Sequence, residues 1–180
     1  MGFGGLLKLI ADKFAELHIR YAVIGGLALH AAGYNRSTGD VDLLVHADDI
    51  DRVKTILLPA GYSILHESEN ILNLASPWQM VGGVDVIKAQ RHYTLAMLER
   101  ARPYDVLKDV RLPIVRPEDV IGLKVQAFCN DPARRARDLA DIEWLIRYQK
   151  IDMALIQEYF NVFSMQDELA LIVKKVRDAQ

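Results

Sequence analysis

The chain has little cysteine: Cys129 is the single one among 180 residues. It can form no internal disulfide and no cysteine cluster for a metal ion, which is typical of proteins from a reducing compartment. No apolar run approaches the roughly 20 residues that a membrane-spanning helix needs. The first 14 residues carry charges too early for a secretory signal peptide. The sequence therefore predicts a cytoplasmic protein with no membrane partner.

An excess of either charge is also missing. The chain has 22 Lys and Arg against 24 Asp and Glu, a net charge of -2. This balance excludes attraction of the whole surface to nucleic acid or to an anionic membrane. One local basic cluster, Arg134, Arg135 and Arg137, remains as a feature that favours a nucleic-acid acceptor. The five histidines show no zinc-ligand spacing.

The first two thirds of the chain alternate between strand and helix patterns, which predicts a mixed α/β unit. The predicted strands are Arg20–Ile24, Asp40–Val45, Tyr62–His66, Ile71–Ala75, Val84–Ala89 and Val110–Val115. The predicted helices are 4–18, Leu27–Ala32, Asp48–Ala60 and Tyr93–Arg100.

The pattern becomes purely helical after Arg116-Pro117. Four helices are predicted there, at Pro117–Phe128, Pro132–Gln149, Ile151–Phe160 and Gln166–Arg177. Proline is tolerated in the first turn of a helix, and Asp131 is placed to cap the second of the four. We therefore expect a core over residues 1–115 and a C-terminal helical lobe over 116–180.

Two aspartates, Asp40 and Asp42, stand two residues apart in an otherwise apolar strand. Side chains at that spacing share one face of a strand, where two like charges are costly unless a cation lies between them. Oxygen-only ligands suit Mg²⁺ or Mn²⁺. Asp85 in a later apolar strand would complete a site for two metals if the two strands are neighbours. The competing interpretation is a solvated pair of strand-end carboxylates.

Gly25 and Gly26 follow the first strand and open a short helix. Backbone N–H groups at such a helix start favour a phosphate, although a diglycine more often serves only the geometry of a turn. A phosphate cradle, a short helix, a loop and paired carboxylates in this order favour the catalytic interpretation.

Gly25-Gly26, Asp40-Val41-Asp42 and the later Asp85 resemble the nucleotidyltransferase superfamily of the DNA polymerase β type. The stretch GGLALHAAGYNRSTGDVDLLV is similar to the small bacterial AbiEii-like branch, which includes toxins of toxin–antitoxin systems. The resemblance covers residues 21 to about 145. It implies an α/β nucleotidyltransferase core with a mixed sheet flanked by helices. The family's glycine-serine is glycine-glycine here, which removes one hydroxyl contact to phosphate.

The resemblance implies roles for individual residues. Asp40 and Asp42 would hold Mg²⁺ or Mn²⁺ against the phosphates of an NTP, and Asp85 would complete the metal site and help to deprotonate the acceptor hydroxyl. Arg36 and Thr38 would lie in the loop that faces the triphosphate. For Arg36 a solvated surface position is the alternative.

Lys124 lies in the middle of the apolar stripe of its predicted helix. It is either a lysine whose stem is buried while its amine reaches water, or a lysine directed at the triphosphate. The resemblance favours the second interpretation. Asp138 and Asp141 follow in the next helix and would orient Lys124 or contact the acceptor. Their spacing from Arg134 and Arg137 also fits simple i,i+4 ion pairs.

The function implied is transfer of a nucleoside monophosphate from an NTP to an acceptor hydroxyl. The toxin-like resemblance implies a tRNA 3′ end or a protein as acceptor, and an antitoxin as partner. Two alternatives stay open. One is an antibiotic nucleotidyltransferase with a small-molecule acceptor, and the other is a non-catalytic binding module of antitoxin type.

Overall fold

The computed structural model describes residues 2–35, 39–78 and 81–178. The chain forms two compact units, Met1–Arg116 and Pro117–Gln180. The first contains all the strands described below, and the second is helical. Each unit has its own buried apolar core.

The described part of the first unit contains a mixed sheet of seven strands in the order β3-β4-β5-β2-β1-β7-β6. The strands are β1 (Tyr21–Val23), β2 (Val41–His46), β3 (Ser63–Glu67), β4 (Ile71–Ala75), β5 (Val84–Ala89), β6 (Arg102–Leu107) and β7 (Val110–Ile114). The pairs β2–β5 and β1–β7 are parallel, and the other neighbours are antiparallel. A mixed sheet flanked by helices confirms the predicted α/β class.

Four α-helices accompany the sheet in the described residues: α1 (Phe3–Glu16), α2 (Gly25–Ala31), α3 (Ile50–Leu57) and α4 (His92–Arg100). The first helix forms because its apolar residues recur at helical spacing. Leu6, Leu7, Ile10 and Phe14 are all at most 1% exposed. Helix α1 contacts β7, and α4 contacts β2 and β5.

The second unit contains α5 (Pro117–Asn130), α6 (Arg135–Tyr148), α7 (Met153–Val162) and α8 (Gln166–Asp178). Two helical starts are capped as the sequence favours: the Asp131 side chain accepts from the Ala133 N–H, and Asp152 accepts from the amides of Ala154 and Leu155. Helices α5 and α7 are joined by a buried hydrogen bond, in which the Tyr159 hydroxyl donates to Asp119 Oδ1 at 2.6 Å.

Most predicted elements are present with ends shifted by one or two residues, and three differences are larger. Strand β6, Arg102–Leu107, was not predicted. The helix expected from Asp48 to Ala60 is a 3₁₀ turn, Ala47–Asp49, followed by α3, which ends at Leu57. The helix expected from Pro132 begins as a 3₁₀ turn before α6. Helix ends are poorly encoded because a terminal turn can be 3₁₀ or α at little energetic difference.

Within the described residues, no helix combines the length and the apolar composition needed to cross a membrane.

Candidate active site

Asp42 and Asp85 lie side by side on neighbouring strands. Strands β2 and β5 run parallel, and the Cα atoms of Asp42 and Asp85 are register partners. Residues opposite each other on strands about 4.8 Å apart project from the same face of a sheet. Both side chains are half-buried, whereas Val41 and Val84, on the opposite face, are 0% exposed. The sheet thus brings together two carboxylates that are distant in the sequence.

Gly25 is packed directly against the Asp42 carboxylate. Its φ is +60°, and a Cβ built at this position would lie 2.0 Å from Asp42 Oδ2. No L-amino acid with a side chain fits there while Asp42 keeps its position. The next amide, Gly26 N–H, donates to the same oxygen at 3.4 Å. The diglycine therefore leaves space for the Asp42 carboxylate, and it also forms the start of α2.

Asp40 is held by the second diglycine of the chain. Its Oδ1 accepts a hydrogen bond from Gly83 N–H at 2.9 Å, and a Cβ on Gly82 would lie 2.3 Å from the same atom. Strand β2 begins at Val41, so Asp40 lies just before the strand rather than within it. Of the three predicted aspartates, the structure pairs Asp42 with Asp85 and directs one oxygen of Asp40 toward the turn before β5.

Asn73 adds a residue that sequence reasoning missed. It is the register partner of Asp85 on the antiparallel neighbour β4, and its Nδ2 donates to Asp85 Oδ1 at 2.6 Å. Asn73, Asp85 and Asp42 thus form one row across three adjacent strands. The sequence signal was a lone polar residue between Leu72 and Leu74, which are both buried on the opposite face.

The donor atoms in this row suit a hard divalent cation. Carboxylate oxygens are the preferred ligands of Mg²⁺, and water and substrate phosphates ordinarily complete its shell. Among the residues that the structure describes, no group of three or more His, Cys, Asp or Glu side chains is gathered closely enough to hold a metal ion by itself. The chemistry of the Asp42–Asp85 pair therefore fits an ion that one or two carboxylates and a nucleotide bind together.

Arg36 and Thr38, which were predicted to face the triphosphate, lie outside the described residues. Their role stays a prediction.

Lys124 in the helical unit is buried between two carboxylates. Its side chain is 11% exposed, and its Nζ lies 2.9 Å from Asp138 Oδ1 and 2.6 Å from Asp141 Oδ2. The two aspartate side chains are 0% and 3% exposed. Both carboxylates therefore fix the position of Lys124, whereas sequence reasoning did not choose between them.

Asp138 also pairs with an arginine one helical turn earlier. Arg134 Nε lies 3.3 Å from Asp138 Oδ2, the i,i+4 ion pair that the spacing predicts. Arg135, from the same basic cluster, is paired with Glu168 of α8. Two of the three arginines of the predicted basic cluster are thus engaged in ion pairs within the helical unit.

Comparison with protein families gives a match over residues 4–177 to a family described as "Uncharacterised nucleotidyltransferase". The chain belongs to this nucleotidyltransferase family. The match spans nearly the whole chain, so both units are part of the family's pattern. The predicted enzyme class, nucleotidyl transfer, is confirmed. A comparison with curated proteins finds no match.

Solved structures share the fold of this nucleotidyltransferase. The lincosamide antibiotic adenylyltransferase LnuA, bound to lincomycin, has a TM-score of 0.57 at 19% identity, over 82% of this chain and 99% of that one. ANT(2″)-Ia with adenylyl-2″-tobramycin has a TM-score of 0.65 at 11% identity, over 89% and 95%. An antigenic nucleotidyltransferase-like protein from Paracoccidioides brasiliensis has a TM-score of 0.58 at 17% identity, over 96% and 92%.

The family match places the chain in the nucleotidyltransferase superfamily, as predicted, and the solved structures share its fold. At identities under 20% they show a shared fold and leave the acceptor undetermined. The special closeness to the AbiEii-like branch stays a prediction.

Proposed function

We propose that this nucleotidyltransferase transfers a nucleoside monophosphate from an NTP to an acceptor hydroxyl in a reaction that depends on Mg²⁺ or Mn²⁺. The observation that carries the proposal is the register pairing of Asp42 with Asp85 beside Gly25. Like charges directly opposite each other on neighbouring strands repel and destabilise the pairing. A cation with its phosphate ligands explains why both are present.

The reaction is an in-line displacement at phosphorus. The acceptor oxygen forms a bond to the α-phosphorus, the bond from that phosphorus to the bridging oxygen breaks, and pyrophosphate leaves with the electron pair. Asp40 and Asp42 would hold a divalent ion against the phosphates, and Asp85 would complete that site and help to take up the acceptor proton. A bound divalent ion would neutralise charge on the phosphate oxygens. The chain itself contributes mainly positioning, since phosphoryl transfer asks for little covalent chemistry from the protein.

The nucleotide would be bound at the start of α2, by the amides of Gly25 and Gly26, and by Arg36 and Thr38 of the following loop. Lys124 is proposed as a further triphosphate contact, oriented by Asp138 and Asp141. The ion pairs at 2.9 Å and 2.6 Å support the orienting role, because they fix the lysine amine within the helical unit. ATP is the nucleotide we would test first.

The acceptor suggested by the toxin-like resemblance is a tRNA 3′ end or a protein hydroxyl, with an antitoxin as partner. A small hydroxyl-bearing molecule is the second candidate, and one observation favours it. Arg134 and Arg135 are engaged in ion pairs with Asp138 and Glu168. This internal pairing leaves less positive charge for a phosphate backbone, whose binding is dominated by unpaired Lys and Arg.

To test the proposal, the protein is incubated with each α-³²P-labelled NTP in the presence of Mg²⁺ or Mn²⁺. Three acceptor arms run in parallel: total tRNA, the protein with cell extract, and a panel of lincosamides and aminoglycosides. Asp42→Ala and Asp85→Ala should each lose transfer by more than about a hundredfold. Groups that merely support metal ligands already cost 10–100-fold when removed. Asp51→Ala is the matched control, since the Asp51 side chain is 95% exposed.

The arm in which label appears identifies the acceptor class. If the wild type and Asp42→Ala give the same label in every arm, the proposed function is wrong. In that case a non-catalytic binding module of antitoxin type becomes the better account.

A further inference from the structure

Asn73 stands at the outer end of the row that crosses β4, β5 and β2. The backbone register places it opposite Asp85, and Asp85 opposite Asp42. The hydrogen bond from Asn73 Nδ2 to Asp85 Oδ1 is short, at 2.6 Å, and half-buried. A donor to a carboxylate at this distance fixes the rotation of the carboxylate group as well as its position.

We infer that Asn73 is a positioning residue that orients Asp85 for metal binding and transfer. The inference rests on the proposed function, and it assigns a role to a side chain outside the motif that defines the site. Asn73 occupies Oδ1 of Asp85, and the carboxylate can then offer Oδ2 to a cation. Partners that orient a ligating carboxylate in this way commonly affect metal affinity by 10–100-fold.

The chemistry of an amide explains why asparagine suits this position. A lysine or arginine here would neutralise Asp85 and compete with the cation for it. The amide N–H donates a hydrogen bond and carries no net charge, so Asp85 keeps its full negative charge. At the other end of the row the Gly26 N–H, another uncharged donor, contacts Asp42 Oδ2 at 3.4 Å.

A purely structural role is the rival explanation. In that case the hydrogen bond would only tie β4 to β5, and its loss would lower stability without a separate effect on metal binding. Backbone pairing already joins these strands over four register pairs. The two explanations therefore differ in whether metal affinity and thermal stability change together.

Asn73→Leu is the informative variant, because leucine keeps the branched shape and the number of heavy atoms of the side chain and removes the donor. Asn73→Gln restores an amide donor on a longer stem. Asn70→Ala is the control, since the Asn70 side chain also bonds across to the β5 end, through Gln90 Nε2 at 3.1 Å, but is exposed and remote from Asp85. Each protein is titrated with Mn²⁺, alone and with α,β-methylene-ATP, and the free ion is followed by EPR. Melting temperature and the Mg²⁺ dependence of transfer are measured in parallel.

We expect Asn73→Leu to weaken Mn²⁺ binding about tenfold or more while its Tm stays within about 3 °C of the wild type. The Mg²⁺ concentration for half-maximal transfer should rise by a similar factor. Asn73→Gln should recover part of the affinity, and Asn70→Ala should match the wild type.

Wild-type Mn²⁺ affinity in Asn73→Leu would overturn the inference and leave the proposed function standing. A fall in Tm that accounts for the loss of affinity, with no recovery in Asn73→Gln, would also overturn it in favour of the structural role. If the wild type transfers nothing in any arm yet Asn73→Leu still loses Mn²⁺ affinity, the proposed function fails and the orienting role of Asn73 is supported.

Discussion

The Asp42–Asp85 pair of the sheet unit and the Lys124 cluster of the helical unit contain different kinds of hydrogen-bond donor. Asp42 and Asp85 accept hydrogen bonds from uncharged N–H donors, those of Gly26 and Asn73. In the helical unit, Asp138 and Asp141 lie against the ammonium group of Lys124, and Asp138 also faces Arg134. At Asp85 the uncharged donor fixes the geometry and leaves the negative charge in place, whereas the ammonium of Lys124 neutralises the carboxylates that it contacts.

This difference indicates what each cluster is for. An uncharged donor orients a carboxylate without competing for a cation, which suits a site that must bind Mg²⁺. A buried lysine with two carboxylates is a set in which each charge depends on the others. The helical cluster therefore has a structural task whether or not Lys124 also contacts a nucleotide. Three substitutions break or sharpen this comparison.

Lys124→Met should give the largest effect, a loss of about 3–5 kcal/mol in the free energy of unfolding. Removing the ammonium leaves Asp141 at 3% side-chain exposure without this cation, and Asp138 with Arg134 alone. Urea unfolding at neutral pH measures the loss. The triple variant Lys124→Met, Asp138→Asn, Asp141→Asn should recover much of it, because no buried charge remains uncompensated. Near wild-type stability in Lys124→Met would contradict a structural task for this cluster.

Gly25→Ala should reduce transfer about hundredfold, since a displacement of roughly 1 Å in a reacting group can cost that much. The added Cβ would lie 2.0 Å from Asp42 Oδ2, so the carboxylate must move, and the φ of +60° is strained for alanine. Steady-state kinetics measures the effect. Gly39→Ala is the control, because a Cβ there meets nothing within 4 Å. Equal activity in the two variants would contradict the close packing of Gly25 on Asp42.

Asp49→Asn extends the comparison to a buried, ion-paired carboxylate of the sheet unit. Asp49 is 0% exposed and pairs with Arg20 at 2.8 Å and Arg52 at 3.3 Å. Burial raises the pKa of Asp49, but the hydrogen bonds and charges of these arginines outweigh it and hold the pKa below its ordinary value. Its stabilisation is therefore present above the unfolded-state pKa, about 3.9, and is lost as pH falls through the folded-state value.

We expect Asp49→Asn to cost about 1–2 kcal/mol at pH 7, and the difference from the wild type should shrink below pH 4. Chemical unfolding at a series of pH values from 2 to 8 measures this difference in the free energy of unfolding. Asp48→Asn, at a side chain 74% exposed, should change little. A difference that persists unchanged at pH 2 would exclude the ion pair as its source.

The sequence predicts well the strands that are buried on one face. Ile71–Ala75 and Val84–Ala89 have the predicted bounds, because alternating apolar residues bounded by turns specify a half-buried strand. Strand β6, at the sheet edge and exposed at nearly every residue, was missed because its sequence shows no alternation of apolar and polar residues. The other edge strand, β3, is equally exposed but was predicted, because a polar turn joins it to the alternating strand β4. Strand β6 also contains Pro103, a residue tolerated in strands mainly at edges.

The candidate site was predictable in part. The neighbours of β2 in the sheet cannot be read from periodicity, so the predicted approach of Asp85 to Asp42 was conditional on strand order. The contact of Gly25 with Asp42 and the bond from Asn73 to Asp85 depend on distances of 2–3 Å between residues far apart in the chain. Such distances follow from the register of the assembled sheet, which no local pattern encodes.

The parallel pairing of β2 with β5 also bears on how the protein acquires its activity. All of α3, β3 and β4 lies between the two strands in the chain, so this ladder has high contact order and forms slowly compared with a hairpin. The β3–β4 hairpin can form early, whereas Asp42 comes to lie beside Asp85 only when β2 pairs with β5. In a refolding experiment, capacity to bind Mn²⁺ should therefore appear after most of the helical signal, as a late marker of the native state.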